Sequence, residues 1–121
     1  MTVARQIMGK SGEDLAVAEL ERRGYAILER RYRTRHGEID IIGRDGETTV
    51  FVEVKARRTA EFGTAAEAVT AHKQRRLVSM AVDYLTRHRL SNRPCRFDVV
   101  AIDGEGAERT ITLYKSAFGG A

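Results

Sequence analysis

The stretch that decides the fold runs from residue 38 to residue 55 and reads EIDIIGRDGETTVFVEVK. Its two apolar segments flank Asp45-Gly46, a pair that favours a tight hairpin turn. The second segment is largely apolar on both faces, which is typical of a central strand covered from two sides. Burying an unpaired charge is costly, so charged residues are rare in such strands. The charged residues of the two strands are therefore candidate functional residues: Asp40, Glu53 and Lys55.

The hairpin predicts how these side chains are arranged. With the turn centred on Asp45-Gly46, Glu38 lies opposite Glu53 and Asp40 lies opposite Phe51. Opposed residues point to the same side of a sheet, and diagonal neighbours are close enough for their side chains to converge. Four charged side chains are then expected on one face: Glu38, Asp40, Glu53 and Lys55. A loop of odd length would instead place Asp40 opposite a valine.

A cluster of carboxylates on a strand pair needs compensation, because like charges that face each other destabilise a sheet. A divalent cation such as Mg²⁺ or Mn²⁺ would supply it, since hard cations prefer carboxylate oxygens. Such a metal lowers the pKa of a bound water and polarises a phosphoryl oxygen. Lys55 would stabilise the charge that develops on the phosphate or orient the attacking water. The alternative, which spacing alone leaves open, is a salt-bridged strand end without a metal.

The whole chain predicts one α/β domain over residues 1–121, a mixed central sheet flanked by helices in the order α-β-β-β-α-β-β. Residues 1–10 and 116–121 are expected to be loosely ordered. The apolar stripe of the second helix repeats at helical spacing and consists of Leu77, Met80, Ala81, Tyr84 and Leu85. The first helix is expected over 12–23, capped by Ser11, and is followed by strands over 25–35, 38–43 and 48–55. A helical segment then opens at Thr64 with Glu67, restarts at Thr70 and runs to Arg89. The last two strands are expected over 96–102 and 110–114.

Composition excludes several classes of protein. No apolar run approaches the roughly 20 residues that a membrane helix needs, and residues 1–10 lack the apolar core of a secretion signal. Cys95 is the only cysteine, so the chain forms no internal disulfide and offers no zinc site. We therefore expect a cytoplasmic protein without a membrane partner.

Basic residues surround the acidic strands. The net charge is +4, and most of the basic residues are arginine, whose planar fork matches phosphate geometry. This pattern favours a nucleic-acid partner, although ordinary solvated surface charge is the alternative for each arginine. The residues assigned to nucleic-acid binding are Arg33, Arg35, Arg57, Arg58, Lys73 and Arg76. Whether Lys73 or Glu38 joins the acidic site stays open. We expect Asp98 to form a structural pair with a nearby arginine.

Specific segments carry a family resemblance. Asp40 followed by Glu53-Val54-Lys55 resembles the PD-(D/E)XK nuclease signature, except that Ile39 stands where the signature has proline. The segments 12–16, 33–42, 51–57 and 96–100 resemble the YraN family, small bacterial proteins predicted to be endonucleases. The resemblance covers nearly the whole chain.

The resemblance implies a restriction-endonuclease-like fold similar to that of archaeal Holliday-junction resolvases. It implies that Asp40 and Glu53 ligate Mg²⁺ or Mn²⁺ and that Lys55 is catalytic. Resolvases of this kind also carry a glutamate on the first helix, and Glu13 matches it. The resemblance therefore implies that Glu13 is a catalytic residue and an accessory metal ligand. Because such resolvases act on DNA as dimers, the resemblance also implies a DNA partner and a homodimer. The alternative is a non-catalytic nucleic-acid-binding or interaction module on a nuclease fold. Nothing in the sequence distinguishes branched DNA, flapped DNA and RNA as the substrate.

Overall fold

A computed structural model describes residues 2–58 and 69–118, with side chains from Gly12 onward in the first helix. These residues form a five-stranded mixed sheet with two helices, in the predicted order α-β-β-β-α-β-β. The elements are α1 (Thr2–Arg22), β1 (Ala26–Thr34), β2 (Gly37–Asp45), β3 (Thr48–Arg57), α2 (Ala71–Arg87), β4 (Cys95–Asp103), a short 3₁₀ turn (Gly106–Glu108) and β5 (Thr110–Phe118). None of the helices in this described part is long and apolar enough to cross a membrane.

The strands lie side by side in chain order, from β1 at one edge to β5 at the other. All neighbouring pairs are antiparallel except β3 and β4, which are parallel. A parallel pair needs a long crossover, and α2 lies within that connection. The central strand β3 is buried from Thr49 to Glu53, which confirms the prediction that it is covered on both faces.

Each face of the sheet has its own apolar core. On the α2 side, the predicted helical stripe is buried in full against residues such as Ile42, Phe51 and Val99. On the other side, Ala16 and Leu20 of α1 pack against Ile41, Val52 and Val100. Apolar residues of β3 thus alternate between the two cores, whereas in β2 Ile39 and Ile42 belong to one core and Ile41 to the other. The two helices sandwich the sheet.

The start of α2 is fixed by a side-chain cap. Thr70 is the N-cap residue, and its hydroxyl oxygen accepts a hydrogen bond from the backbone N–H of Lys73 at 3.1 Å. A threonine cap typically stabilises a helix by about 1 kcal/mol. The predicted restart at Thr70 is therefore confirmed, whereas the helical segment expected at Thr64 and Glu67 lies outside the described residues.

Two expectations about the chain ends need correction. Helix α1 begins at Thr2, so Ser11 lies inside the helix and does not cap it, and residues 2–10 are helical. No proline interrupts this stretch, and its internal Gly9, Ser11 and Gly12 weaken the helix without ending it. Strand β5 continues past Tyr114 to Phe118 because the Phe118 ring stacks on Phe97, with ring centroids 5.2 Å apart.

A buried polar network fixes the hairpin to the rest of the sheet. Asp98 is fully buried and accepts hydrogen bonds from the Tyr25 hydroxyl at 2.9 Å, Arg96 Nε at 3.0 Å and the Ser116 backbone N–H at 3.0 Å. Arg96 also donates to Asp45 at 2.8 Å, at the β2–β3 turn. Burial, followed by the hydrogen bond to Asp98, raises the pKa of Tyr25 to about 12. The predicted structural pairing of Asp98 with an arginine is confirmed.

Candidate active site

Strand β2 separates from β3 at Asp40. The β2–β3 pairing runs from Asp45–Thr48 to Ile41–Val52, whereas β3 continues to Arg57 alongside β4. At the end of this pairing, Asp40 Oδ2 accepts a hydrogen bond from the backbone N–H of Val54 at 2.8 Å. A carboxylate thus takes the place of a strand carbonyl as the acceptor, which holds Asp40 beside the end of β3.

Strand β1, which pairs with the other edge of β2, is also irregular beside Asp40. Arg31 lies in β1 between Arg30, which pairs with Ile41, and Tyr32, which pairs with Ile39, and it has a left-handed φ of 54°. Non-glycine residues seldom adopt this conformation. The β1 backbone is therefore distorted at the level of Asp40.

The observed register corrects the predicted one. Phe51 lies opposite Ile42 rather than Asp40, because the turn residues are Gly46-Glu47 and Asp45 pairs with Thr48. Glu38 does not face Glu53; it pairs with Arg33 of β1, whose Nε donates to its carboxylate at 3.1 Å. Glu38 therefore lies with β1 and does not contribute a carboxylate to the Asp40–Glu53 pair.

Glu53 and Lys55 project toward α2. Their partners in the parallel pairing with β4 are Val99 and Ala101, which both belong to the core beneath α2. Glu53 is only 4% exposed, whereas Lys55 is half-buried and forms no ion pair with any residue that the structure describes. The end of β3 thus combines a buried carboxylate with an ammonium group that has no anionic partner there.

Lys73 joins the site from the first turn of α2. Its ammonium group contacts the buried carboxylate of Glu53, while its own side chain is 45% exposed. The question that the sequence left open is answered in favour of Lys73, which meets Glu53, and against Glu38.

The electrostatics of the pair show an excess of negative charge. The pKa of Asp40 is raised to about 7, first because the carboxyl is buried and second because Glu53 is negatively charged. The hydrogen bond from Val54 and the charge of Lys73 act in the opposite direction without cancelling these two effects. A buried pair of carboxylates with insufficient counter-charge is chemically suited to a hard divalent cation, so Asp40 and Glu53 fit the metal that the resemblance implies.

Glu13 is placed differently. Its carboxylate accepts hydrogen bonds from Arg30 Nε at 2.8 Å and Arg31 Nε at 2.9 Å. Over residues 2–58 and 69–118, no three His, Cys, Asp or Glu side chains are grouped so as to hold a metal ion. In the described structure Glu13 therefore anchors α1 to β1, and the converging carboxylates are those of Asp40 and Glu53.

The basic residues assigned to nucleic-acid binding fall into two groups. Arg57 donates to Asp103 at 2.9 Å, and both side chains are mostly buried. Arg76 donates to the backbone carbonyl of His36 at 2.8 Å, which ties α2 to the β1–β2 turn. The other four are exposed to solvent: Arg33, Arg35 and Arg58, together with Lys73, whose side chain is 45% exposed and contacts Glu53.

Two features of the site have little or no signal in the sequence. The Val54 donor is a backbone N–H, which every residue except proline carries, so no residue type marks it. The Lys73–Glu53 contact joins distant parts of the chain. Its only sequence signal is the placement of Lys73 one turn after the cap residue Thr70.

The mixed sheet and its two helices, in the predicted order, define an α/β protein with two carboxylates and a lysine near the end of its central strand. The chain belongs to the uncharacterised protein family UPF0102, whose family model matches residues 12–102 and which is the YraN type recognised from the motifs. All of the candidate catalytic residues lie within the matched range.

Relatives in this family are similar over most of their length. A UPF0102 protein of Syntrophus aciditrophicus is 50% identical over 110 residues, which cover 91% of this chain and 87% of the relative. A Geobacter sulfurreducens member is 53% identical over 80% of this chain and 76% of its own. A Dehalococcoides mccartyi member is 41% identical over 98% of both chains.

Proposed function

We propose that the protein is a metal-dependent endonuclease that hydrolyses nucleic-acid phosphodiester bonds at the end of β3. The observation that supports this most directly is the convergence of Asp40 and Glu53 where β2 leaves β3. Burial, followed by the negative charge of Glu53, raises the pKa of Asp40 to about 7, and a bound cation would offset both effects.

Each residue of the site has a distinct role in the proposed reaction. Asp40 and Glu53 would hold Mg²⁺ or Mn²⁺, which when bound supplies a Lewis acid and a water of lowered pKa. The Val54 N–H fixes one oxygen of Asp40 and so orients the carboxylate. Lys55 donates a hydrogen bond to the attacking water or to the phosphoryl oxygen on which charge develops.

The proposed partner is DNA. The net charge of +4 and the exposed arginines Arg33, Arg35 and Arg58 support binding driven by release of counterions from the phosphate backbone. A homodimer and a cytoplasmic location remain predictions that follow from the resemblance and the composition.

One observation favours a second function. Lys73 already gives Glu53 a counter-charge, which is the arrangement expected if the fold binds nucleic acid without cleaving it. The two functions differ in whether a metal has to enter the site.

A cleavage panel separates them. Linear, flapped and branched DNA and RNA would be incubated with the wild type, with Asp40→Asn and with the matched control Asp14→Asn, in Mg²⁺ and in Mn²⁺. We expect metal-dependent cleavage by the wild type and by Asp14→Asn, whose carboxylate is exposed on α1, and none by Asp40→Asn. Equal cleavage by all three proteins, or binding without cleavage, would contradict the nuclease function.

A further inference from the structure

A cleft of about 660 Å³ lies between the β1–β2 turn and the outer face of α2. One wall carries Arg33, Arg35 and His36, and the other carries Val82 and Arg87. Neither Asp40 nor Glu53 lines this cleft. The sequence did not assign most of its lining residues a shared role. The cleft is therefore a separate concave surface with its own chemistry.

The lining combines exposed cations with an apolar contact. The side chains of Arg33 and Arg87 are 84% and 70% exposed, on opposite walls. Val82 is 56% exposed, which makes it the most exposed of the large apolar side chains in the described residues. The cleft's carboxylate, Asp83, already accepts hydrogen bonds from Tyr32 and Arg87, each at 3.3 Å. Arg33 is also paired, with Glu38, so the net positive charge of the lining comes from Arg35, for which the described residues show no ion pair. This charge favours an anionic ligand.

A second, smaller cavity adjoins this cleft and runs toward the first turn of α2. It has a volume of about 150 Å³, shares His36 and Ser79 with the cleft, and extends along α2 to His72. His72 directly precedes Lys73, which contacts Glu53. With a rise of about 1.5 Å per helical residue, the path along α2 from Lys73 to Arg87 is roughly 20 Å long, enough for a few nucleotides.

The shape and chemistry of the cleft select between forms of nucleic acid. A closed duplex turns its bases inward and offers mainly phosphates to a protein surface. An unpaired strand offers both phosphates and base faces, and guanidinium planes and apolar side chains contact those faces. A concave lining of arginines around an exposed valine is complementary to the unpaired strand.

We infer that this cleft binds an unpaired strand of the nucleic acid that is cleaved at Asp40 and Glu53. The inference rests on the proposed function and names its substrate class: nucleic acids with a single-stranded arm, such as flaps and forks, rather than closed duplexes.

The test measures binding without cleavage. Fluorescence anisotropy in EDTA at low salt would compare a single strand, a forked duplex and a blunt duplex of matched length. We expect the wild type to bind the single strand and the fork more tightly than the blunt duplex. The variant Arg35→Ala/Arg87→Ala should lose at least about fivefold in affinity for the two probes with unpaired bases. The control Arg44→Ala/Arg93→Ala removes the same charge from exposed positions outside the cleft and should lose less.

A second variant separates base contact from charge. Val82→Ser removes apolar surface from an exposed position and should weaken single-strand binding without altering the salt slope, because no phosphate contact is lost. Equal affinity for blunt and forked probes, or equal losses in the cleft and control variants, would overturn the inference even if the protein cleaves DNA. Single-strand preference that depends on the cleft, in a protein without cleavage activity, would keep the inference for binding and refute the nuclease function.

Discussion

Lys73 and Glu53 form an ion pair that joins the first turn of α2 to the end of β3. Glu53 is almost completely buried, whereas the Lys73 side chain is 45% exposed. The lysine therefore reaches the buried carboxylate from the solvent-exposed side of the site. In the proposed function, the ammonium group and a metal ion are alternative counter-charges for the same carboxylate.

Replacing Lys73 should strengthen metal binding. In Lys73→Gln the competing charge is gone, and we expect Mn²⁺ affinity to rise by several-fold in isothermal titration calorimetry. The control is Arg75→Gln, which removes a charge from the exposed side of the same helix and should have a smaller effect. Weaker binding in Lys73→Gln would show instead that the lysine orients Glu53 for the metal.

Metal binding should stabilise the fold. A ligand at a hundred times its Kd adds about 2.7 kcal/mol to the free energy of unfolding, so millimolar Mn²⁺ or Mg²⁺ should raise the Tm. Asp40→Asn should abolish this rise, because it removes one of the two converging carboxylates while an amide oxygen still accepts from Val54. A wild-type Tm that is independent of both metals would count strongly against the site.

The raised pKa of Asp40 should make stability depend on pH. Its folded pKa of about 7 exceeds the ordinary value of 3.8, so between these values the unfolded state binds fewer protons than the folded state. The contribution of Asp40 is therefore complete below about pH 4 and is lost as the pH rises through 7. For one proton the slope is at most about 1.4 kcal/mol per pH unit.

Urea unfolding of the wild type and Asp40→Asn between pH 4 and 8 would measure this slope. We expect the difference in unfolding free energy between the two proteins to grow in favour of Asp40→Asn as the pH rises. A constant difference over this range would mean that Asp40 has an ordinary pKa.

Lys55→Ala should separate binding from catalysis. Lys55 forms no ion pair in the described part of the chain, so its removal should leave stability and the metal-induced rise in Tm intact. Loss of a group that stabilises the transition state typically costs on the order of 10²–10³ in rate. Single-turnover cleavage at saturating DNA would measure this loss, and unchanged cleavage would remove Lys55 from the mechanism.

Adjacent arginines should differ in their effect on stability. Arg57→Ala leaves Asp103 mostly buried without its ion pair, and we expect a loss of about 1–3 kcal/mol in unfolding free energy. Arg58→Ala breaks a pair with Glu105 in which both side chains are well exposed, so little loss is expected. Similar urea midpoints for the two variants would contradict this distinction.

The sequence predicts best those structural features that depend only on residues close together in the chain. The buried stripe of α2 follows from helical periodicity, and its start follows from the cap residue Thr70. The β2–β3 register was wrong because Asp45-Gly46 and Gly46-Glu47 are neighbouring turn positions that the local sequence does not separate. The shift carried Phe51 from Asp40 to Ile42, yet the charge of Glu53 still acts on the Asp40 carboxyl.

Contacts between distant elements were beyond this reasoning. Pairing of Glu13 with Arg30 and Arg31, and of Lys73 with Glu53, depends on how the helices lie on the sheet. Alternation along a strand gives the face of a residue but not the helix side chain that meets it.

The distorted, arginine-rich strand β1 has a consequence for self-association. An open sheet edge is a template on which another chain can add a strand, and charges and backbone irregularities on the edge oppose this. β1 is such an edge, and it carries Arg30, Arg31 and Arg33 together with the left-handed residue at Arg31. The conformation of Arg31 denies an approaching strand a matching row of hydrogen bonds. The distortion beside the acidic site therefore disfavours the addition of a further strand to β1.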